Sequence, residues 1–517
     1  MAQLDYRANL QTALFPLLAE NGGDTVIITN RDATYERFVS PDPSGGPLDR
    51  GIPQIIYGHN VMPSTYGFQS VGYKVQYPAF NAAYNFDAAY LMVSVEGIRT
   101  YIGVDYTVAG TLFALQQSGT WAALGGAPSI GPANRVSVAT VNGISYLCLS
   151  GLGTYTYSVN TNSLTRVTLK GLDDGNIIAL ATSTGYLIAL TKNSVAWSAT
   201  DDPLDFVPSD ITGAGGGSVQ EATGNLIHAQ ETSYGFILYT ENNVVSVTYS
   251  GNATFPFNFK AITGGGGVAS SDLVCVDSVN SQYAYTTKGL QQIYHTGAKT
   301  VLSYITDFVA GQVFEDFDEE TNTFSISSFT HTMRKKLSLV SDRYLVLSYG
   351  MNQGQPMTHA IVLDVPLTRM GKLKITHNQV FELRNLAPEV IETPRESIAL
   401  LDKDGTVRTV DFGLRAAESK GVMLLGKYSY TRSRRTTIQQ VRVSNVQPEN
   451  DFEILDMITE DGTTLQPAQT LYADPPKPLA TVRDFYSQIC GVNHTLVVKG
   501  NFNLSTLILS FTLHGVQ

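Results

Sequence analysis

The chain has 517 residues, 43% of them hydrophobic, which is too long for one compact core and points to several domains or one large repeat array. Only 15% are charged, against roughly 25% in ordinary soluble domains, and Ser, Thr, Asn, Gln, Gly and Tyr take the place of the missing charge. The formal net charge of −11 argues against a static, sequence-reading DNA binder, which must neutralise phosphates with Lys and Arg.

In chain order, residues 7–20 are the one stretch that reads as a helix, and Pro16 interrupts it. The opening MAQLDYRANLQTALF lacks the basic region and apolar run of a secretory leader. A strand at 25–29 and the turn-rich SPDPSGGPLDRGIP from Ser40 follow. Residues 1–88 are therefore expected to form an arm that completes or docks on the next domain. No run of 18 apolar residues occurs anywhere, so no membrane span is expected. Cys148, Cys275 and Cys490 lie far apart and form no CxxC pair, so reduced thiols made in a reducing cytoplasm are the expectation.

From residue 89 to 419 aromatic and β-branched residues alternate with polar ones. In 244–249, Val245, Val247 and Tyr249 take one face and Ser246 and Thr248 the other, the pattern of a half-buried strand. Glu96-Gly97, Asn142-Gly143 and Asp404-Gly405 sit between such runs, and these dipeptides accept the positive φ of a tight hairpin. A strand–turn–strand unit recurs seven times, near Tyr90, Ile144, Gly185, Tyr234, Gln282, Arg343 and Ser397. The spacing of roughly 40 to 60 residues suits one propeller blade of four strands per copy. Residues 420–517 change character, with long strands and another hairpin signal at Asp461-Gly462. The expected fold is all-β: an irregular β-propeller of about seven blades over 89–419, with an additional C-terminal β-sandwich-like domain over 420–517.

No P-loop, GxSxG elbow, HExxH or strand-to-helix GxGxxG is present, so no catalytic, cofactor-binding or metal site is assigned and no enzyme is expected. The glycine runs at 213–217 and 264–267 precede no helical pattern and read as inter-blade links or close backbone approaches. The eight histidines are scattered without ligand spacing. The run Glu315, Asp316, Asp318, Glu319, Glu320 reads first as a solvated turn. Arg432, Arg434, Arg435 and Arg442 form the densest basic patch, and Arg334, Lys335 and Lys336 a second. Alternate cations on a strand suit a solvated face, an acidic neighbour, phosphate or a subunit interface.

Between Ser194 and Gly297 a particular pattern appears: Trp197-Ser198, an Asp-Pro-Leu-Asp-Phe turn at 202–206, Thr212-Gly-Ala-Gly, Tyr249-Ser-Gly, Pro256 to Phe259, and a closing KGLQQIYHTG. It resembles the tail nozzle, or tail tubular, proteins of short-tailed bacteriophages. NVMPSTYGFQSVGY from Asn60 and the ending VVKGNFNLSTLILSFTLHG are similar to that family's ends. The resemblance implies a virion protein forming a closed ring, expected as a hexamer, below the portal and its adaptor. Its implied partners are the adaptor, tail fibre or tip proteins, and double-stranded DNA passing through without sequence recognition. Acidic lining would keep DNA from stalling, and Asp201, Asp202, Asp205 and Glu315, Asp316, Asp318, Glu319 and Glu320 are its candidates. Arg432, Arg434, Arg435 and Arg442 are candidates for the subunit interface. The alternative is a carbohydrate-binding or carbohydrate-cleaving tail propeller, which calls for paired carboxylates or an Arg cluster in the propeller mouth.

Overall fold

The computed structural model describes residues 23–29, 34–35, 54–77, 86–301, 313–328, 334–382, 398–411, 421–428, 435–445, 452–459, 467–473 and 482–513, apart from short gaps at 65–66, 107–110, 117, 253–254, 280, 351–354, 368, 488 and 492. The expected helix at 7–20 and the turn-rich loop at 40–53 lie outside these residues. Among them, two short 3₁₀ turns accompany strands throughout.

Seven antiparallel four-stranded sheets follow one another: 86–123, 136–167, 179–218, 226–261, 274–300, 334–377, and 379–411 completed by Gly72–Tyr77. They are blades 1 to 7 of a propeller. The first strands touch in succession around a ring. Phe86–Val93 meets Val136–Val141, which meets Ala179–Ser183, which meets Leu226–Thr232. Val274–Val276 meets Arg334–Val340, which meets Gln379–Glu382, and the last meets Phe86–Val93 again. The final blade takes its fourth strand from ahead of the first, with Val410 opposite Tyr73 and Asp411 opposite Gly72. Each of the seven recurrent hairpins falls in a different blade.

The tight two-residue turn forms at one of the three expected dipeptides; at Glu96-Gly97 and Asp404-Gly405 only the glycines have positive φ (80° and 83°), within longer loops. Asn142 and Gly143 both have positive φ (51° and 79°), as a two-residue hairpin of this type requires. The strand Val244–Tyr249 departs from the half-buried expectation, because Val244, Val245 and Val247 are all sealed and Ser246 is buried. A blade is covered on both faces. Val245 and Val247 pack with Tyr186, Ile188 and Trp197 of blade 3, while Val244 packs with Val274, Ala284 and Ile293 of blade 5. Similar apolar layers fill the other joints, such as Phe86, Phe113 and Trp121 of blade 1 against Phe381, Leu401 and Val407 of blade 7. The glycine run at 264–267 is an inter-blade link of close approach. A Cβ on Gly267 would stand 1.9 Å from the Glu241 carbonyl oxygen.

A β-sandwich adjoins the propeller. One sheet holds Val61–Pro63, Phe68–Ser70, Asn503–Leu513, Thr436–Asn445 and Val482–Tyr486, and Gly23–Thr29 pairs on it. The other holds Gln54–His59, Gly421–Tyr428, Asn493–Gly500 and Phe452–Thr459. Met423, Leu425, Ile438, Val441, Ile454, Leu496 and Val498 are buried between them. The sandwich thus draws on strands from both 23–70 and 421–513. The fourth strand of blade 6, Arg369–His377, pairs with Val61–Pro63, so blade and sandwich share one sheet.

Candidate functional site: the axial cavity

A cavity of about 730 Å³ is lined by residues of blades 1, 5 and 6, with blade 7 standing between 6 and 1 in the ring. A space shared by non-adjacent blades lies where their first strands converge, on the propeller axis. Its charged wall is the start of the first strand of blade 6, Arg334, Lys335 and Lys336. Strand alternation sends neighbouring side chains to opposite faces. Arg334 and Lys336 turn towards blades 7 and 1, and Lys335 turns towards blade 5.

The Arg334 guanidinium donates to the Gln355 carbonyl (2.9 Å), Asn378 Oδ1 (3.1 Å) and the Asp87 carbonyl (3.2 Å). Lys336 is buried, and its ammonium donates to the Asp87 carbonyl (2.9 Å) and Gln379 Oε1 (3.0 Å). Burial pushes the Lys336 pKa down, with the Arg334 charge adding to the effect and the Asp272 and Asp87 carboxylates opposing it. The Asp87 carboxylate accepts from the Tyr106 amide (3.2 Å) and lies 3.9 Å from Arg334. Burial nonetheless pushes its pKa up. Arg334 and Lys336 thus meet at the Asp87 carbonyl and, with their partners Asn378 and Gln379, join blades 1, 6 and 7.

Lys335 is placed differently. Its ammonium stands 5.0 Å above the centre of the Tyr285 ring, and burial lowers its pKa. Asp272 enters from the 3₁₀ turn Ser271–Leu273, which Ser270 caps by accepting from the Asp272 amide (3.0 Å). Its charge acts on Tyr90, Tyr106 and Lys336. The cavity thus presents a cation, a carboxylate and phenol rings to one space. The cationic triplet was visible in the sequence as a patch. Asp87, Asp272 and Tyr285 were not singled out, since only the closure of the ring brings them to it.

The candidate lining carboxylates stand elsewhere. Asp201, Asp202 and Asp205 lie on the connection between the third and fourth strands of blade 3, the side of a blade away from the axis. Asp202 pairs with Lys170 (3.1 Å) and accepts from the Leu204 amide (2.9 Å), and Asp205 accepts from the Val207 amide (3.0 Å).

The acidic run forms the hairpin Val313–Asp318 and Thr323–Ser328, and much of it is docked rather than solvated. Phe317 is sealed against Tyr57, Leu424 and Met457 of the sandwich. Asp316 accepts from Lys374 Nζ (2.5 Å) and the Tyr57 hydroxyl (3.2 Å). Glu319 meets His59 Nε2 (3.0 Å). Asp318 accepts from the amides of Glu320 (2.8 Å) and Thr321 (3.2 Å), and Glu320 is exposed. The Glu315 side chain lies outside the described residues.

Of the basic patch, Arg432 and Arg434 lie outside the described residues and Arg435 is exposed. Arg442 is engaged within the chain. It faces Asp484 across the sheet and donates to both its oxygens at 2.7 and 3.0 Å.

No protein-family profile matches the sequence, and no curated protein matches it. Among solved structures, the chain is similar to the WD40 β-propeller domain of Doa1, at 10% identity and a TM-score of 0.36, over 68% of this chain and all of that one. It is also similar to the extracellular domain of a hybrid two-component system from B. thetaiotaomicron (9%, TM-score 0.41), over 87% of this chain and 62% of that one. A third is YCF48 bound to D1 peptide (9%, TM-score 0.36), over 68% of this chain and 98% of that one.

Proposed function

We propose that this chain is a structural subunit of a short-tailed bacteriophage tail. Copies of it close into a ring-shaped nozzle, most simply a hexamer, below the portal and adaptor, and DNA leaves through the channel between them. The protein would be synthesised in the host cytoplasm and act in the virion, without catalysis of its own.

The observation that carries this reading is the run of nozzle-like motifs between Ser194 and Gly297, together with the way those motifs fit one another. Trp197 donates from Nε1 to the Gly213 carbonyl (2.9 Å) and packs edge-on against Phe257 at 5.5 Å. A Cβ on Gly215 would stand 3.1 Å from the Trp197 ring. The 202–206 turn places buried Phe206 between blades 2 and 3, its amide bonded to the Lys170 carbonyl (2.9 Å). Residues that resemble the family in sequence thus form interlocking joints of consecutive blades, as a shared scaffold demands. The balance of −11 suits a conduit that must not hold DNA. A closed ring needs two different, complementary flanks on each subunit, and a propeller fused to a sandwich has unlike flanks.

Negative-stain electron microscopy with light scattering tests the proposal. Rings with a central channel are expected, from the chain alone or on mixing with portal and adaptor proteins. A monomer that joins no tail component under any mixing would overturn it.

A further inference from the structure

We propose that the axial cavity of the propeller is a binding site for a small acidic sugar, one carboxylate on a ring that also carries neighbouring hydroxyls. The site lies within one subunit, so the proposal is independent of ring assembly.

The argument rests on which polar groups the protein has already used. Arg334, Lys336 and Asp87 are engaged with one another and with the backbone. Lys335 is not, since among the described residues its ammonium meets the Tyr285 ring and no oxygen within hydrogen-bond distance. The Asp272 carboxylate has no hydrogen-bond donor among the described residues, and the Tyr90 and Tyr285 hydroxyls have no hydrogen-bond partner there. All four belong to the wall of the same cavity. Their polar atoms are open to the cavity rather than sealed, so a cation, a carboxylate and two hydroxyls with no partner among the described residues face one space, where a ligand of complementary groups can take the place of solvent.

The complement has definite chemistry. An ammonium without an oxygen partner calls for an anion. A carboxylate in the same cavity repels a second negative charge and accepts two hydroxyl donors, which vicinal sugar hydroxyls supply. The tyrosines add ring faces and phenol groups for an amphipathic ring. A volume of about 730 Å³ is far larger than a lone ion needs and lies in the range of small-molecule sites. A polyanion is disfavoured by Asp272 and Asp87, and a neutral sugar leaves Lys335 unanswered.

The test is titration calorimetry of the full chain with D-glucuronate as probe and D-glucose as its uncharged counterpart. Saturable binding of glucuronate is expected, with glucose at least about ten-fold weaker. Lys335→Met keeps the stem over Tyr285 and removes the charge, and should weaken glucuronate by about ten-fold or more. Ala269 is exposed at the cavity wall, so Ala269→Trp blocks the space without disturbing a packed layer and should abolish binding. It decides the matter should Lys335→Met fail to fold. No saturable binding of glucuronate overturns the proposal, as does equal affinity for glucose or undiminished binding by the Ala269→Trp chain.

Discussion

His377 shows how a single buried ring ties stability to pH. It is fully buried, with Nδ1 bonded to the Ile375 carbonyl (2.8 Å) and Nε2 to the Ser348 hydroxyl (2.7 Å). A neutral imidazole satisfies both, donating from Nδ1 and accepting at Nε2. A second proton would sit on Nε2 in a site sealed from the surface, so burial pushes the pKa down to about 4 from an ordinary value of roughly 6.5. Between those two values the unfolded chain binds more protons than the folded one. The stability from this group is therefore complete above about pH 6.5 and is lost as pH falls through 4. It amounts to about 3 kcal/mol. His359, also buried, is shifted in the same direction. Urea unfolding between pH 7 and 4.5 should show a falling midpoint. His377→Gln should start less stable at pH 7 and fall less steeply, by up to one proton's worth of slope. Equal slopes for the two chains would show that His377 does not carry the effect.

At the scale of the element, the joints between blades matter more than the blades. The turn Asp202–Phe206 is the clearest case, because it crosses from blade 3 to blade 2. The Lys170 amide donates to the Leu204 carbonyl (2.8 Å), the Phe206 amide donates back to Lys170, and the Phe206 ring is buried beneath. Phe206→Ala should cost about 3–5 kcal/mol in denaturant unfolding. Val207→Ala, one residue on and 50% exposed, should change stability by less than about 0.5 kcal/mol. Similar losses at the two positions would mean that the turn is not a staple. This contrast also marks what the sequence could reveal. Hairpins were legible because their signals are local: two-residue alternation, and Asn142-Gly143 or Asp404-Gly405 at the turn. The pairing of 72–77 with 407–411, and of 23–29 with 506–512, spans most of the chain and leaves no local trace. The axial site suffers the same way. Arg334, Lys335 and Lys336 stood out as neighbours, whereas Asp87 lies some 250 residues from Lys336 in sequence and reaches it only when the ring closes. Docking of the acidic hairpin was missed for the same reason, since His59 and Lys499, which bind the Glu319 carboxylate and carbonyl, come from opposite ends of the chain.

Over the whole molecule, the propeller and the sandwich are built as one body. Blade 6 runs into the sandwich sheet through Lys372 opposite Val61. One continuous apolar cluster also joins Leu337, Leu345 and Ile361 of blade 6 to Ile438, Val441 and Leu496 of the sandwich. Loosening the sandwich should therefore loosen the propeller. The chain supplies its own reporters, because its two tryptophans, Trp121 and Trp197, are both buried in blades, while far-UV circular dichroism reports every strand. In thermal unfolding the two signals should move together. Leu496→Ala removes a sealed side chain between the sandwich sheets, far in sequence from either tryptophan, and a buried Leu→Ala change costs about 2–5 kcal/mol. If the two parts unfold as one, the tryptophan midpoint falls with the dichroism midpoint, by roughly 3 °C. If instead the sandwich melts alone, dichroism shows an early step and tryptophan fluorescence stays where it was. That outcome would mean that the shared sheet transmits too little to couple them, and that the proposed ring of subunits would flex at this joint rather than turn as rigid units.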